Sequence, residues 1–483
     1  MAISRRELLA TGAAAAAGPL TPTGQDTATR TLRGTIPPGA PDWVYVPLEV
    51  PPGIRELRIS YAYDKPPVPS GTPGNALDIG IFDQRGTAVG GRGFRGWSGG
   101  ARTEFFLRAD DATPGYLPGP MEPGRWHVAL GPYTVAPGGL DYEITATFTS
   151  GDPAPPAVPA YPPQRVRGRG RAWYRGDCHL HSVHSDGRRT PAELAGLARA
   201  AGLDFINSSE HNTHSAHAVW GPVAEAAPEL LVLTGEEVTT RTGHVLAVGT
   251  APGTFVDWRY RARDHRFGRF AHAIHKAGGL VVPAHPHATC IGCAWKFGFG
   301  EADAVEVWNG PWTPDDEVAL ASWDATLRGG TERWLPAIAS SDYHRDPDRV
   351  GTPQTVVLAD DLSREAILAG LRAGHSYAAE SSAVSVAFDA VTARGAHAGI
   401  GDRLQVPDDT EILIRLSVTG ADGCDLRLVT HQGVAFTAPA ATSLEWRTTA
   451  SRASYVRAEV RRPPQIPPLP GPPAALTNPI WLA

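Results

Sequence analysis

Apolar and polar side chains alternate with a period of two through residues 31–150. Val44, Val46 and Leu48 show the pattern, and Pro-Gly and Gly-Gly pairs interrupt it. Successive side chains of a strand point to opposite faces, so this alternation is typical of strands with one buried and one solvated face. The interruptions are turn signals. The pattern therefore predicts an all-β N-terminal sandwich over residues 31–150.

Strand and helix patterns alternate from residue 173 to residue 380. Thr190 and Glu193 form a capping box that predicts the start of a helix, and Gly202 predicts its end. Short apolar runs such as residues 280–282 predict buried strands, and polar residues follow several of these runs directly. Strands that deliver polar side chains at their C-terminal ends are typical of an α/β barrel with its site on that face.

Alternation by two returns after residue 381, where Val384, Val386 and Phe388 show it first. Residues 381–483 are therefore predicted to form a C-terminal β-sandwich that ends in a Pro-rich tail. Between the first two regions, residues 151–172 are rich in proline and then in arginine. This composition predicts a stiff, extended linker.

Composition and charge narrow the class of function. The chain has 483 residues, of which 42% are hydrophobic, and this length suggests about three domains. The 44 Lys and Arg residues are balanced by 50 Asp and Glu residues, giving a net charge of −6. A net negative charge argues against nucleic acid as a partner. Beyond the N-terminus, no apolar run reaches the length of a stable membrane span.

Residues 1–30 resemble a twin-arginine signal peptide. Arg5 and Arg6 directly precede a weakly apolar, Ala-rich stretch that is too short for a stable transmembrane helix. The resemblance implies that the twin-arginine export machinery is a partner and that the protein is exported to the periplasm or the extracellular space. Substrates of this machinery fold before export, which suits a protein that acquires metal in the cytoplasm.

Four cysteines are too few for a disulfide scaffold. Cys290 and Cys293 form a lone CxxC pair, which we interpret as a disulfide or as two unlinked thiols rather than as metal ligands. Cys178 precedes the first histidine motif within a predicted strand and is expected to face the core.

Imidazole and carboxylate groups recur just after the short apolar runs of the middle region. Together these groups bind Zn²⁺, Mn²⁺ or Fe²⁺, and an ion held at strand ends can activate water. The pattern predicts a metal-dependent hydrolase. The candidate metal ligands are His179, His181, Asp186, His211, Glu237, His244, His285, Asp342 and His344.

With these motifs, residues 173–380 resemble the polymerase and histidinol phosphatase (PHP) domain of metal-dependent phosphoesterases, and are most similar to its carbaryl hydrolase-type branch. His179-Leu180-His181, followed by Ser185-Asp186-Gly187, carries much of the resemblance. The resemblance implies a distorted (β/α)7 barrel that holds up to three metal ions. The expected fold class is thus α/β, with a PHP barrel flanked by two all-β sandwich-like domains.

The resemblance also implies a division of the ligands among the ions. The first ion is expected between His179, His181, Glu237 and Asp342, and Glu237 is expected to bridge to a second ion that His244 and His285 also hold. A third ion is expected between Asp186, His211 and His344. The cofactors are therefore two or three divalent ions of zinc, manganese or iron, and the residues expected to take part in catalysis are Glu237, Asp342 and His285.

Some positions depart from the family pattern or leave an alternative open. Glu210 stands where the family usually has Asp, which puts in doubt its role in orienting an imidazole. His184 competes with Asp186 for the third ion, and the Ser-Asp-Gly spacing favours Asp186. Glu236 is expected to face solvent or to support the ligands. Asp324 and Glu332 are expected on a solvated face.

Three functions are compatible with the sequence. The first is hydrolysis of phosphate esters of small molecules, and the second is hydrolysis of carboxylic or carbamic esters at the same centre. The predicted pocket segments contain Trp295, Trp308 and Trp312 but few cations, which mildly favours an uncharged or diester substrate. The third is an exported binding protein whose barrel is catalytically silent, and a missing metal ligand would be its signature.

Overall fold

The computed structural model describes residues 21–22, 27–329, 334–464 and 470–483. Most of the predicted signal peptide lies outside the described residues, and so does Glu332. The chain divides into two compact units, Met1–Val158 and Pro159–Ala483. None of the helices in the described ranges is long and apolar enough to cross a membrane.

The described residues of the first unit form two antiparallel sheets. Their strands are β1 (Thr21–Pro22), β2 (Thr27–Ile36), β3 (Val44–Val50), β4 (Ile54–Tyr63), β5 (Ala76–Phe82), β6 (Phe94–Gly99), β7 (Glu104–Arg108), β8 (Gly124–Thr134) and β9 (Leu140–Ser150). One sheet has the order β1-β2-β9-β4-β7, and the other has the order β3-β8-β5-β6.

The alternation in the sequence explains how these sheets pack. In β3, Val46, Leu48 and Val50 are buried, whereas Pro47 and Glu49 between them are exposed. Buried side chains from both sheets form one hydrophobic core. The unit therefore has the two-layered architecture that a period-two pattern with one solvated face requires.

The middle of the second unit contains the helices of the described residues. Its elements are β10 (Ala172–Asp177), α1 (Pro191–Ala200), β11 (Phe205–Ser208), α2 (Trp220–Ala226), β12 (Leu231–Thr234), β13 (Glu236–Thr240), β14 (Gly243–Val248), α3 (Phe267–Lys276), β15 (Leu280–Ala284), β16 (Val305–Asn309), α4 (Pro314–Arg328), β17 (Ala337–Ser340), β18 (Gln354–Ala359), α5 (Arg364–Ala373) and β19 (Ser376–Ala379), with 3₁₀ turns at Ser215–Val219 and Ala262–Asp264.

Helix α1 begins with the predicted capping box. The Glu193 amide donates to Thr190 Oγ1 over 3.3 Å, and the Glu193 carboxylate accepts from the Thr190 amide over 2.7 Å. These two bonds satisfy backbone groups that the first helical turn cannot pair internally.

The expected mixed α/β class is present, but the unit is richer in sheet than a (β/α)7 barrel. The pairs β10–β11, β11–β12 and β16–β17 are parallel, whereas β10–β18, β18–β19, β13–β14 and β14–β15 are antiparallel. The two residues between β13 and β14 allow only a hairpin, because a parallel crossover needs about a dozen residues or more. Among the described residues, the strands form separate sheets rather than one closed parallel barrel.

The segment predicted as a C-terminal sandwich shares a sheet with the middle segment. Its strands are β20 (Ser385–Thr392), β21 (His397–Gly399), β22 (Arg403–Leu404), β23 (Ile412–Thr419), β24 (Asp425–Thr430), β25 (Gly433–Ala438), β26 (Ser443–Thr448), β27 (Tyr455–Arg461), β28 (Pro473–Thr477) and β29 (Ile480–Leu482). The run β18-β19-β28-β27-β24-β25 lies in one sheet, and β21-β20-β23-β26 forms another. A common core includes side chains of both sheets.

A buried network of charges joins α4 to β27. The Arg461 guanidinium donates to both carboxylate oxygens of Glu317, over 2.9 and 3.0 Å, and to Glu459 over 2.9 Å. Arg457 donates to Asp324 over 3.0 Å and to Glu459 over 2.7 Å. Burial opposes ionisation of Glu459, but the two guanidinium groups outweigh it and lower its pKa to about 2. The expectation that Asp324 lies on a solvated face was wrong, because Asp324 is buried in this network.

We expect the replacement Arg461→Met to lower the stability of the second unit by about 3–5 kcal/mol, because Glu317 loses its guanidinium partner and the buried Glu459 keeps only Arg457. The matched replacement Arg447→Met removes an exposed ion pair with Glu411 and should cost about 1 kcal/mol or less. Differential scanning calorimetry of both variants measures the difference as a fall in Tm. Equal Tm values for the two variants would show that the buried network contributes nothing specific.

Candidate metal centre

The nine candidate ligands lie at or just beyond strand ends of the second unit and form three groups. Within each group, the ligand atoms all lie within 4.8 Å of one another. Parallel strands end at the same edge of a sheet, so the loops that follow them bring distant residues together. The groups are His179, His181, Glu237 and Asp342; Glu237, His244 and His285; and His181, Asp186, His211 and His344.

Glu237 lies in β13 and is shared by the first two groups. Its Oε2 atom lies 3.1 Å from His179 Nε2, 3.3 Å from His181 Nε2 and 2.9 Å from His211 Nδ1. Its Oε1 atom lies 2.8 Å from His244 Nδ1 and 3.2 Å from His285 Nε2. One fully buried carboxylate therefore faces five imidazoles, which is the arrangement that a bridging ligand requires.

Asp342 completes the first group from the loop after β17. Its Oδ1 atom lies 3.1 Å from His179 Nε2 and 3.1 Å from His181 Nε2. Asp342 has a φ of 48° and His285 has a φ of 28°. Non-glycine residues adopt positive φ rarely, and the conformation persists where surrounding contacts hold it, often at functional sites.

The third group lies closer to the surface. Asp186 Oδ1 is 3.6 Å from His211 Nε2 and 3.3 Å from His344 Nε2. The His181 ring stacks on those of His211 and His344, with centroid distances of 4.2 and 4.1 Å. The Asp186 side chain is 44% exposed, so this end of the cluster is open to solvent.

The donor set fits divalent metal ions. Two of the buried atoms that meet there, His179 Nε2 and Glu237 Oε2, have no hydrogen-bond partner. Leaving buried polar atoms unpaired is costly unless another partner satisfies them. Two ligand atoms that share an ion at about 2.1 Å lie roughly 3.0–3.5 Å apart, which is the spacing around Glu237 Oε2. Nitrogen and carboxylate oxygen donors together suit zinc, manganese and iron.

The carboxylates and imidazoles shift one another's pKa values. Burial opposes the ionisation of Glu237, but His211, His179 and His244 more than compensate and hold its pKa well below the ordinary value. Burial likewise opposes charge on His211, yet Glu237 and Asp186 raise its pKa to about 10. The pKa of Asp342 is held well below its usual range because His179 and His181 outweigh its burial. The carboxylates are therefore ionised and available as ligands at neutral pH.

Glu306 is a buried carboxylate at the candidate metal centre that sequence analysis missed. It lies in β16 and is completely buried. Its Oε1 atom is 3.2 Å from His179 Nδ1, and its Oε2 atom accepts from the His285 amide over 2.8 Å and from Asn309 Nδ2 over 3.0 Å. A carboxylate on the far nitrogen of a ligating histidine fixes the tautomer and the ring orientation. The signal was a glutamate among Val305, Val307 and Trp308 in the strand Val305–Asn309.

Asp177 and Glu210 are also buried, and their carboxylates accept hydrogen bonds from the loops that carry the candidate ligands. Asp177 accepts from the Ser341 hydroxyl, the Gly351 amide and the His179 amide. Burial raises the pKa of Asp177 to about 6, although these bonds oppose the shift. This aspartate ties the first histidine loop to the loop of Asp342.

Glu210, the residue that departs from the family pattern, contacts two serines rather than a ligand imidazole. It accepts from Ser182 Oγ over 2.5 Å and from Ser185 Oγ over 2.6 Å. Ser185 Oγ in turn lies 3.3 Å from His181 Nδ1. The longer carboxylate therefore acts on His181 through a hydroxyl.

His184 and Glu236 lie outside the three groups of candidate ligands. His184 Nδ1 lies 2.9 Å from Ser215 Oγ, and His184 belongs to none of the three groups, whereas Asp186 does. Glu236 does not face solvent: it is buried, and its Oε2 atom accepts from the Val256 amide over 2.9 Å. Burial raises the pKa of Glu236 well above its ordinary value.

A pocket of about 300 Å³ adjoins the second group of candidate ligands. His285 and His287 form part of one wall, and the first turn of α4, with Asp315 and Asp316, forms another. Burial raises the pKa of Asp316 to about 6. The residues that line this pocket include two carboxylates and neither lysine nor arginine.

No protein-family model matches the sequence, and no curated protein matches it. Among solved structures, the chain is similar to a two-domain protein of Bacteroides vulgatus that contains a predicted PHP-like metal-dependent phosphoesterase, at 17% identity and a TM-score of 0.37, over 68% of this chain and 99% of that one. A candidate metal-dependent phosphoesterase of Bifidobacterium adolescentis matches at 19% identity and a TM-score of 0.29, over 36% and 90% of the two chains. An amidohydrolase of Chromobacterium violaceum matches at 19% identity and a TM-score of 0.28, over 36% and 89%. Because all three TM-scores are below 0.5, function is inferred below from the geometry of the site.

We expect Glu306→Gln to weaken metal binding about 10- to 100-fold, because the amide cannot stabilise the His179 imidazole as a carboxylate does. Competition with a chromophoric chelator measures the dissociation constant. The control Glu301→Gln changes an exposed glutamate that precedes β16 and should leave metal affinity unchanged. Unaltered affinity in Glu306→Gln, with the fold intact by circular dichroism, would remove Glu306 from the metal centre.

Proposed function

We propose that this protein is a metal-dependent hydrolase that acts on phosphate esters of small molecules. One observation carries the metal-dependent hydrolase: the buried Glu237 and eight other imidazole and carboxylate side chains converge in three groups that share members. A structural ion pair needs one cation for one carboxylate, whereas five imidazoles face this one. Such a set, with unpaired buried donor atoms, supports a centre of two or three zinc, manganese or iron ions. The resemblance of these motifs to the PHP phosphoesterase domain supports phosphate esters as the substrate.

The three groups assign each candidate ligand to an ion. His179, His181, Glu237 and Asp342 would hold the first ion, and Glu237 would connect it to the second, which His244 and His285 would also hold. Asp186, His211 and His344 would hold the third. Divalent ions bound there would supply Lewis acidity to activate water and to polarise the ester.

The protein's own residues would orient the reactants and accept the proton. Of the two carboxylates of the first group, Asp342 is the better placed to take the proton of the attacking water, because its side chain is 21% exposed whereas Glu237 is 1% exposed. Asn309 Nδ2 donates to Asp342 Oδ2 over 3.3 Å and fixes the orientation of that carboxylate. His285 lies at the pocket wall and would position the ester next to the centre.

Hydrolysis of carboxylic or carbamic esters is the second candidate function. The carbaryl hydrolase-type branch of the PHP family, which the sequence resembles, includes enzymes that hydrolyse carbamates. The acidic lining of the 300 Å³ pocket favours this alternative. Asp315 and Asp316 would repel the second negative charge of a phosphomonoester, whereas a neutral ester or carbamate carries no such charge. A catalytically silent binding protein is the third candidate, and the complete set of ligands argues against it.

We further propose that the protein is exported by the twin-arginine machinery to the periplasm or the extracellular space. The Arg5-Arg6 pair ahead of an apolar stretch supports export. The disulfide between Cys290 and Cys293 also supports it, because disulfides persist mainly in oxidising compartments.

The substrate class can be tested with signal-free protein that is stripped with a chelator and reloaded separately with Mn²⁺, Zn²⁺ or Fe²⁺. We expect metal-dependent hydrolysis of aryl phosphate or bis-aryl phosphate to exceed that of aryl acetate and aryl N-methylcarbamate. Initial rates on the four substrates measure the preference, and His179→Ala should lose at least about 100-fold in kcat.

The outcomes separate the three candidate functions. Faster turnover of the acetate or carbamate would replace the phosphoesterase proposal with the second candidate. Failure of the wild-type protein to bind any of the three metals would exclude both hydrolase candidates.

The pocket charge gives a separate prediction. We expect Asp315→Asn to raise kcat/KM for the aryl phosphate dianion about two- to tenfold relative to aryl acetate, because one repulsive charge is removed. The gain should shrink at 1 M salt, which screens charges beyond about 3 Å. Asp409→Asn changes an exposed carboxylate in the C-terminal segment and should leave the ratio unaltered. No change for Asp315→Asn would mean that substrate does not enter this pocket.

A further inference from the structure

The loop that follows β15 is closed on itself and begins at a candidate metal ligand. We call residues 285–296 the disulfide loop. A disulfide joins Cys290 to Cys293, whose Cα atoms are 5.4 Å apart. The Ala288 amide donates to the His285 carbonyl over 2.9 Å, and the Trp295 amide donates to the Pro286 carbonyl over 2.9 Å. The cross-linked turn is thus connected by hydrogen bonds to the backbone of His285.

The same loop supports the hairpin that carries His244. The Gly243 amide donates to the Gly292 carbonyl over 2.8 Å, and Gly292 lies inside the ring that the disulfide closes. The Lys296 amide donates to the Thr242 carbonyl over 3.1 Å. Gly243 has a φ of 121°, and a Cβ atom there would come within 2.7 Å of Trp295 Cα, so the loop and the hairpin are in close contact.

A third contact fastens the loop to α4. The Thr289 amide, next to Cys290, donates to Asp315 Oδ2 over 3.2 Å. His287 and Ala288 of the loop also line the pocket beside the second group of ligands. The disulfide loop therefore supports two of the three residues of that group, His244 and His285, and one wall of the adjacent pocket.

We propose that the Cys290–Cys293 pair is a redox modification site that sets the affinity of the ion held by Glu237, His244 and His285. The proposal rests on the metal centre of the proposed function and adds its regulation. In the oxidised protein, the closed ring holds the Gly292 carbonyl against the hairpin. In the reduced protein, the ring opens and both histidines lose part of their positional restraint.

The reduction is a thiol–disulfide exchange with a dithiol reductant. Cys290 is exposed and Cys293 is 5% exposed, so a thiolate of the reductant attacks Cys290 Sγ. The Cys290–Cys293 bond breaks, and Cys293 leaves as a thiolate that takes up a proton. The second thiol of the reductant then attacks the mixed disulfide and releases Cys290, which is also protonated. The protein gains two electrons and two protons, and the reductant becomes a disulfide.

The size of the effect follows from the length of the closed ring. A disulfide between residues three apart removes a small amount of loop entropy, which corresponds to a factor of about ten in the population of the ordered loop. Apart from the shared Glu237 of β13, the other candidate ligands lie in the loops after β10, β11 and β17 and contribute to the first and third groups. Reduction should therefore weaken one ion and leave the others tightly bound.

The test uses the full chain in its oxidised form and the double variant Cys290→Ser/Cys293→Ser, both without reductant, which would itself bind metal. Zn²⁺ is the probe, and competition with a chromophoric chelator gives the number of ions per chain and each dissociation constant. We expect the weakest of the bound zinc ions to dissociate about tenfold more readily from the double variant. Cys424→Ser changes a buried free cysteine outside the loop and should match the wild type.

A second background locates the effect. In a His244→Ala chain, the group that the loop supports has already lost a ligand, so adding the double serine change should no longer weaken any remaining ion. Identical zinc affinities in the oxidised wild type and the double variant would overturn the redox proposal. Equal weakening of every ion would also overturn it. A wild-type protein that binds no zinc, manganese or iron would instead refute the metal centre and the proposed function.

Discussion

The charge on one buried carboxylate organises the second unit. Glu237 is fully buried, and an ionised carboxylate in that position is unstable unless positive charge or metal surrounds it. Five imidazoles, from three loops and from strand β14, face its two oxygens, and each ring must be held on the correct side. Further buried carboxylates, among them Glu306, Glu210 and Asp177, hold the loops and rings in place. The buried polar contacts therefore depend on one another, and removal of one side chain would leave its buried partners unpaired.

The mixture of parallel and antiparallel strands serves this arrangement. The parallel strands β10 and β11 place His179 and His211 at one sheet edge, and β17 delivers Asp342 to the same region. The hairpin of β13 and β14 pairs His244 with Thr239, two residues from Glu237, so that His244 Nδ1 lies 2.8 Å from Glu237 Oε1. The loop after β15 adds His285 beside them. In a strictly parallel barrel, each ligand follows the end of a separate parallel strand. In this hairpin, two antiparallel strands that are adjacent in sequence each carry a ligand.

Local patterns predicted much of this molecule, and contacts distant in sequence account for the rest. The alternation in β3 and the capping box of α1 depend only on neighbouring residues, so both could be read directly. The candidate ligands stand beside the short apolar runs that end at the site, so their proximity could also be predicted. Glu306 could not be assigned to His179, because 127 residues separate the two and a lone glutamate in a strand has no distinctive spacing. The sharing of a sheet between β19 and β28 was missed for the same reason, since period-two alternation shows that strands exist but not which strands pair.

The C-terminal strands explain how the pocket beside the centre keeps its shape. Helix α4 presents Asp315 and Asp316 to that pocket from its first turn, where no sheet hydrogen bonds can hold it. Arg461 of β27 forms an ion pair with Glu317 in the same turn, and Arg457 forms an ion pair with Asp324 two turns later. Strand β27 is in turn paired through β28 to β19, which belongs to the sheet that carries β10. The ion pairs therefore fix the helix along two of its turns relative to the strands that end at the metal centre. This makes the C-terminal segment a structural support for the pocket, and a change in β27 would reach the site through α4 rather than through any ligand.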